Sequence, residues 1–151
     1  MGRRRYAKWL AVSALVLAAC ASGPVQLYPG QPRERDQVAL LQLEKPTGAN
    51  VVAVDDQRVS ASSWYVSPGS HMIWVRARAS GRQFRLRFKV VGYCLMHFEA
   101  EPGGTYTLAP DIRKTTTAGA IQVDVGANLF DQTGKVVASA APCLGERPSL
   151  N

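Results

Sequence analysis

The chain has 151 residues, 46% of them hydrophobic, with 13 Gly and 9 Pro spread along it, which leaves room for one globular domain and is too apolar for extended disorder. Its formal charge is +7, but Arg3, Arg4, Arg5 and Lys8 fall in a leader. Without those four the excess is +3, which excludes a nucleic-acid binder read from net charge.

The leader, residues 1–19, has a cationic head (Met1 to Arg5), an apolar run from Trp9 to Leu17 and a small-residue end at Ala18-Ala19. That is the layout of an export signal, and it is short for a transmembrane helix. The junction Leu17-Ala18-Ala19-Cys20 resembles the lipobox of bacterial lipoproteins. The resemblance implies acylation of the Cys20 thiol and anchoring to a membrane; the alternative is an ordinary signal with a coincidental cysteine. In that pathway Ala21, where an Asp would mark inner-membrane retention, implies the outer membrane, with the domain facing the periplasm. Residues 20–36 hold three prolines and two glycines without periodicity and read as the lipidated cysteine and an extended tether.

Residues 37–139 are expected to form an all-β domain, a small antiparallel β-sandwich of roughly seven to nine strands, because turn signals recur at short intervals between period-two runs. Strands are expected at Gln37 to Leu43, Val51 to Val54 and Trp64 to Val66, with turns at Asp55-Asp56 and Ser67-Pro68-Gly69-Ser70. From His71, Ile73, Val75, Ala77 and Ala79 take one face while Met72, Trp74, Arg76 and Arg78 take the other. After an expected turn at Ser80-Gly81-Arg82, Phe84, Leu86, Phe88 and Val90 alternate with Gln83, Arg85, Arg87 and Lys89. Such alternation predicts a hairpin with one buried and one wet face. Cys94 to Phe98 reads as a further strand, Glu101 to Gly104 as a turn, and the threonine-rich stretch from Asp111 to Gly119 as a loop. Ile121 to Leu129 alternates again, and Asp131 to Gly134 turns the chain into a last strand, Lys135 to Ser139. The tail, residues 140–151, has few apolar residues and is expected to be loosely held.

The turn Ser67-Pro68-Gly69-Ser70-His71 and the strand after it resemble a PEGA-like β-sandwich module. The wider frame is similar to small bacterial envelope lipoproteins of unassigned function. Leu27-Tyr28-Pro29-Gly30, Val38-Ala39-Leu40-Leu41, the segment Phe98 to Tyr106 and the segment Phe130 to Val137 carry that likeness. It covers most of the chain after the leader, implies a fold rather than an activity, and brings no catalytic residues with it.

Three cysteines less the lipidated one leave Cys94 and Cys143. In an exported domain these can form one intramolecular disulfide, which would pin the tail; otherwise Cys94 is a small buried hydrophobe. Two cysteines and two histidines without ligand spacing give no metal site, and no cofactor motif is present. No nucleophile elbow or phosphate-binding glycine loop occurs either. His71 reads as structural, His97 as outward-facing, and the carboxylate pairs Asp55/Asp56 and Glu99/Glu101 as local polar groups. The chemistry therefore points away from an enzyme.

With a loop at Gly81-Arg82, Arg78 would face Arg85, Arg76 would face Arg87, and Trp74 would face Lys89. Such a Trp/Arg-rich face suits an anionic envelope component, with Trp74 stacking on a cation. It is equally what a solvated, aggregation-resistant sheet face looks like. The expectation is an outer-membrane-anchored, non-enzymatic binding or accessory module acting through Trp74, Arg76, Arg78, Arg85, Arg87 and Lys89. The alternative is a structural accessory subunit of an envelope complex, bound through a strand edge or the tail.

Overall fold

Ten strands alternate with short turns in the computed structural model, which describes residues 23–44, 48–83, 86–118 and 120–149. They are β1 (Val25–Gln26), β2 (Ala39–Leu43), β3 (Ala49–Val54), β4 (Gln57–Arg58), β5 (Ser63–Val66), β6 (Gly69–Gln83), β7 (Leu86–Ala100), β8 (Thr105–Thr117), β9 (Ala120–Phe130) and β10 (Val136–Ala140). The leader, Cys20 and Arg85 lie outside the described residues. A six-stranded sheet, ordered β1-β5-β2-β8-β9-β10, packs on a four-stranded sheet ordered β4-β3-β6-β7. The fold is the expected all-β sandwich. Its strands exceed the expected number because β1 and β4 are only two residues long. Pairing is mostly antiparallel, with β1–β5 and β2–β8 parallel.

The alternating runs explain the two layers. On β6, Ile73, Val75 and Ala77 are buried, while Trp74 and Arg76 on the other face are half-buried and Arg78 is exposed. The inner faces meet in one core that includes Leu41, Val54, Trp64, Ile73, Val75, Phe98, Leu108 and Leu129. Burying an aliphatic side chain of this size stabilises a fold by about 1.5–3 kcal/mol, so this interface dominates stability. A smaller cluster of Ala77, Ala79, Val125 and Cys143, flanked by Phe88, Val90 and Val123, carries the packing beyond it.

Four expectations are corrected. The segment expected to be a free tether instead packs on the domain from Val25 onward: β1 joins the sheet edge, Tyr28 is buried, and Arg35 donates to the carbonyls of Val38 (2.9 Å) and Gly104 (3.1 Å). The turn at Ser80-Gly81-Arg82 does not form. Gln83 pairs with Leu86, and the strands stay extended through Gly81, where a Cβ would fall 2.7 Å from the ring of its cross-strand partner Phe88. Gly81 makes room for an aromatic ring rather than a turn. The threonine-rich segment is no loop but the outer part of β8, paired with β9 as far as Thr117–Ala120; β-branched threonine suits an extended backbone. The tail, finally, is held: Cys143 is 3% exposed and bonded to Cys94 across a Cα separation of 4.9 Å.

Candidate functional site

The hairpins β6–β7 and β8–β9 are longer than the core needs, and their outer parts lie side by side. Between them runs a groove of about 470 Å³, within the ~300–1,000 Å³ usual for small-molecule sites. Arg78 comes from β6, Phe88 and Lys89 from β7, and Ile112 and Lys114 from β8. Strand periodicity puts Ile112 and Lys114 on the same side of β8. The Lys114 ammonium lies 6.0 Å from the Phe88 ring centroid, within reach of a cation–π contact. Phe88 is half-buried and Ile112 is 43% exposed, so the groove pairs a cationic rim with an apolar floor. Among the described residues, no carboxylate lines it.

Arg113 belongs to the other side of β8. Its Nε and Nη2 donate to Asp111 Oδ2 at 3.0 and 2.7 Å, and that hydrogen-bonded carboxylate raises the arginine's pKa. Arg113 therefore adds little net charge to the surface, unlike Lys114 beside it.

The hairpin register redistributes the predicted cationic face. Arg78 pairs with Val91, Arg76 with Tyr93 and Trp74 with Leu95, while Lys89 faces Ser80 and Arg87 faces Arg82. Parity keeps the cations on one face, as expected, but the strands are offset by several residues from the expected alignment. Arg78 and Lys89 reach the groove, and Arg87 joins Arg82 and Lys89 in an open depression beside it. Trp74 sits between Ala53 of β3 and Leu95, away from Lys89. Arg76 lines a different cleft with Arg58, Tyr93 and Arg147. Lys114, Ile112, Arg58 and Arg147 were not indicated by the local sequence, because each reaches its site from an element remote in the chain.

The other candidate groups take local roles. His71 is buried, its Nε2 2.6 Å from the Ser67 carbonyl oxygen and its Nδ1 2.5 Å from Asp55 Oδ2. His97 is exposed on the opposite face of β7 from Phe98. Glu99 and Glu101 line a cleft of about 320 Å³ together with Asp131. Asp131, however, is engaged in its own turn. Its Oδ1 accepts from the Thr133 hydroxyl (2.6 Å), the Thr133 amide (2.8 Å) and the Lys135 amide (3.0 Å), and the hydroxyl bond leads in lowering its pKa. Among the described residues, no group of three or more His, Cys, Asp or Glu is placed to hold a metal ion. No protein-family model matches the chain, and no curated protein or solved structure matches it either.

Proposed function

We propose that this is a non-enzymatic binding module of the bacterial envelope, anchored to the outer membrane through a lipidated Cys20 and facing the periplasm, with a PEGA-like sandwich as its scaffold. Its ligand is an anionic amphiphile of the envelope. The head group meets Arg78, Lys89 and Lys114, and the apolar portion lies along Phe88 and Ile112. One observation carries this reading: three cations and two apolar side chains share one groove, with no carboxylate among the described residues that line it. An anionic surface attracts each nearby Lys or Arg by about 1 kcal/mol, and exposed charges lose reach as salt rises.

The test is sedimentation of the Cys20→Ala chain with anionic and with neutral lipid vesicles, at low and high salt. The wild-type groove is expected to bind anionic vesicles only, and less at high salt. Lys89→Glu/Lys114→Glu should weaken that binding by at least about tenfold. Equal sedimentation of the two proteins would sink the assignment.

A second reading, an accessory subunit docked through a strand edge, is favoured by β10. This edge strand leaves Val136 46% and Val137 37% exposed, the kind of surface another strand or a partner covers. Salt-insensitive co-purification with one envelope protein, lost on Val136→Lys/Val137→Lys, would favour it.

A further inference from the structure

A second cationic site lies on the outer face of the four-stranded sheet, built from segments that no sequence pattern connects. Arg58 comes from β4, Arg76 and Tyr93 from adjacent positions on β6 and β7, and Arg147 from the tail. They surround a cleft of about 230 Å³ whose apolar wall includes Val52 and Val59. Ordinary alternation with the buried Val51 puts Val52 on this outer face, and the β3–β6 register shift between Val51 and Ala53 leaves it as the extra residue of a bulge.

Arg147 is brought to the cleft by a fixed path. After β10 the chain enters the second cluster at Cys143, whose amide donates to the Val125 carbonyl at 2.6 Å and whose sulfur is bonded to Cys94. Gly145 then exchanges two backbone hydrogen bonds with Tyr93, at 3.0 and 3.2 Å. Two residues later the chain reaches the cleft that Tyr93 also lines. Glycine is required along this path. A Cβ on Gly92 would fall 1.7 Å from the Cys143 carbonyl oxygen, and one on Gly145 would fall 2.7 Å from the Tyr93 oxygen.

We infer that this cleft is a phosphate-recognition site, closed by the disulfide-tethered tail through Arg147. Three guanidinium groups in a small cleft, with no carboxylate among the described residues that line it, match a phosphate monoester. Its oxygens accept several paired N–H bonds, and it carries a charge of nearly −2. A carboxylate offers one charge and two oxygens, fewer acceptors than a phosphate monoester brings to planar guanidinium forks. The volume is ample for a phosphate group. The site is separate from the hairpin groove, shares no lining residue with it, and holds whether or not the groove binds an amphiphile.

The test is isothermal titration of the full-length protein in detergent, in chloride buffer, with inorganic phosphate and with dihexanoyl phosphatidic acid. The wild type is expected to bind in a saturable way. Arg147→Ala should weaken binding about tenfold or more, as expected for loss of a charge-assisted pair. Arg147→Lys should recover only part, since the charge returns without the planar fork. Arg147 is exposed, so both variants should keep the wild-type melting temperature. Arg147-dependent binding of both probes supports the site with free phosphate sufficient as ligand. Arg147-dependent binding of the lipid alone supports it with a headgroup as the source. With the groove silenced by Lys89→Glu/Lys114→Glu, no saturable binding of either probe, or binding that ignores Arg147→Ala, overturns it. Because the Lys89→Glu/Lys114→Glu background removes the groove's cations and none of the cleft's, failure of the groove and failure of the cleft are told apart.

Discussion

His71 shows how a residue that looks chemically active can be fully engaged in structure. A carbonyl only accepts, so the Nε2 facing the Ser67 oxygen carries a proton. Nδ1 faces Asp55, whose other oxygen accepts from the Met72 amide at 2.9 Å. These contacts hold Asp55 at φ 46°, in the left-handed region that a turn needs and Asp tolerates better than most residues. One imidazole thus fastens the β3–β4 turn to the Pro68-Gly69 turn, with Phe98 packed 5.7 Å from its ring centre. His71→Phe should cost about 1–3 kcal/mol, mainly from the Ser67 carbonyl left unsatisfied. Asp55→Asn, which keeps an acceptor and tolerates the same backbone, should cost less. Urea denaturation of the two variants checks the order; equal midpoints for His71→Phe and wild type would remove His71 from the structural frame.

The strands themselves were legible where one face is buried, because burial forces alternation. The Ile73-Val75-Ala77-Ala79 face and the Pro-Gly turn before it were readable for that reason. The register of the same hairpin was not. Ser80-Gly81-Arg82 has the composition of a turn, and only the position of Phe88 across the sheet shows why a glycine stands in mid-strand. The outer part of β8 was hidden for a related reason: beyond the core it alternates Asp111, Arg113 and Thr115 with Ile112, Lys114 and Thr116, so no hydrophobic period marks it. Its threonines were the available signal. Gly92, also in mid-strand, serves the tail rather than a turn. Gly92→Ala must displace the Cys143 backbone, since no side chain there can yield, and overpacking of this kind costs about 1–3 kcal/mol. Hydrogen exchange should show the Tyr93 and Gly145 amides losing protection while β2 and β5 keep theirs. Unchanged protection at Gly145 would mean that the tail is held by other contacts.

At the scale of the whole molecule, the two sheets are joined at their cores by apolar packing and at one edge by a covalent bond. Cys94 sits on the last strand of the four-stranded sheet; Cys143 follows the last strand of the six-stranded one. The two-cysteine count made that bond legible in the sequence, but not its consequence for Arg147, which depends on where Gly145 meets Tyr93. The sequence separation of 49 corresponds, on the chain-entropy estimate, to about 4 kcal/mol of restriction in the unfolded chain. Reduction, or Cys143→Ser, should therefore lower the melting temperature by far more than any surface change. Arg58, Arg76 and Arg147 all survive that change as residues, yet phosphate affinity should fall below that of the oxidised protein, because the tail no longer holds its arginine in place. Titration at a temperature where the reduced protein is still folded by far-ultraviolet dichroism separates this from unfolding. A large loss of stability with phosphate affinity intact would show that the Gly145–Tyr93 pairing alone positions the tail, and the disulfide would then serve stability only.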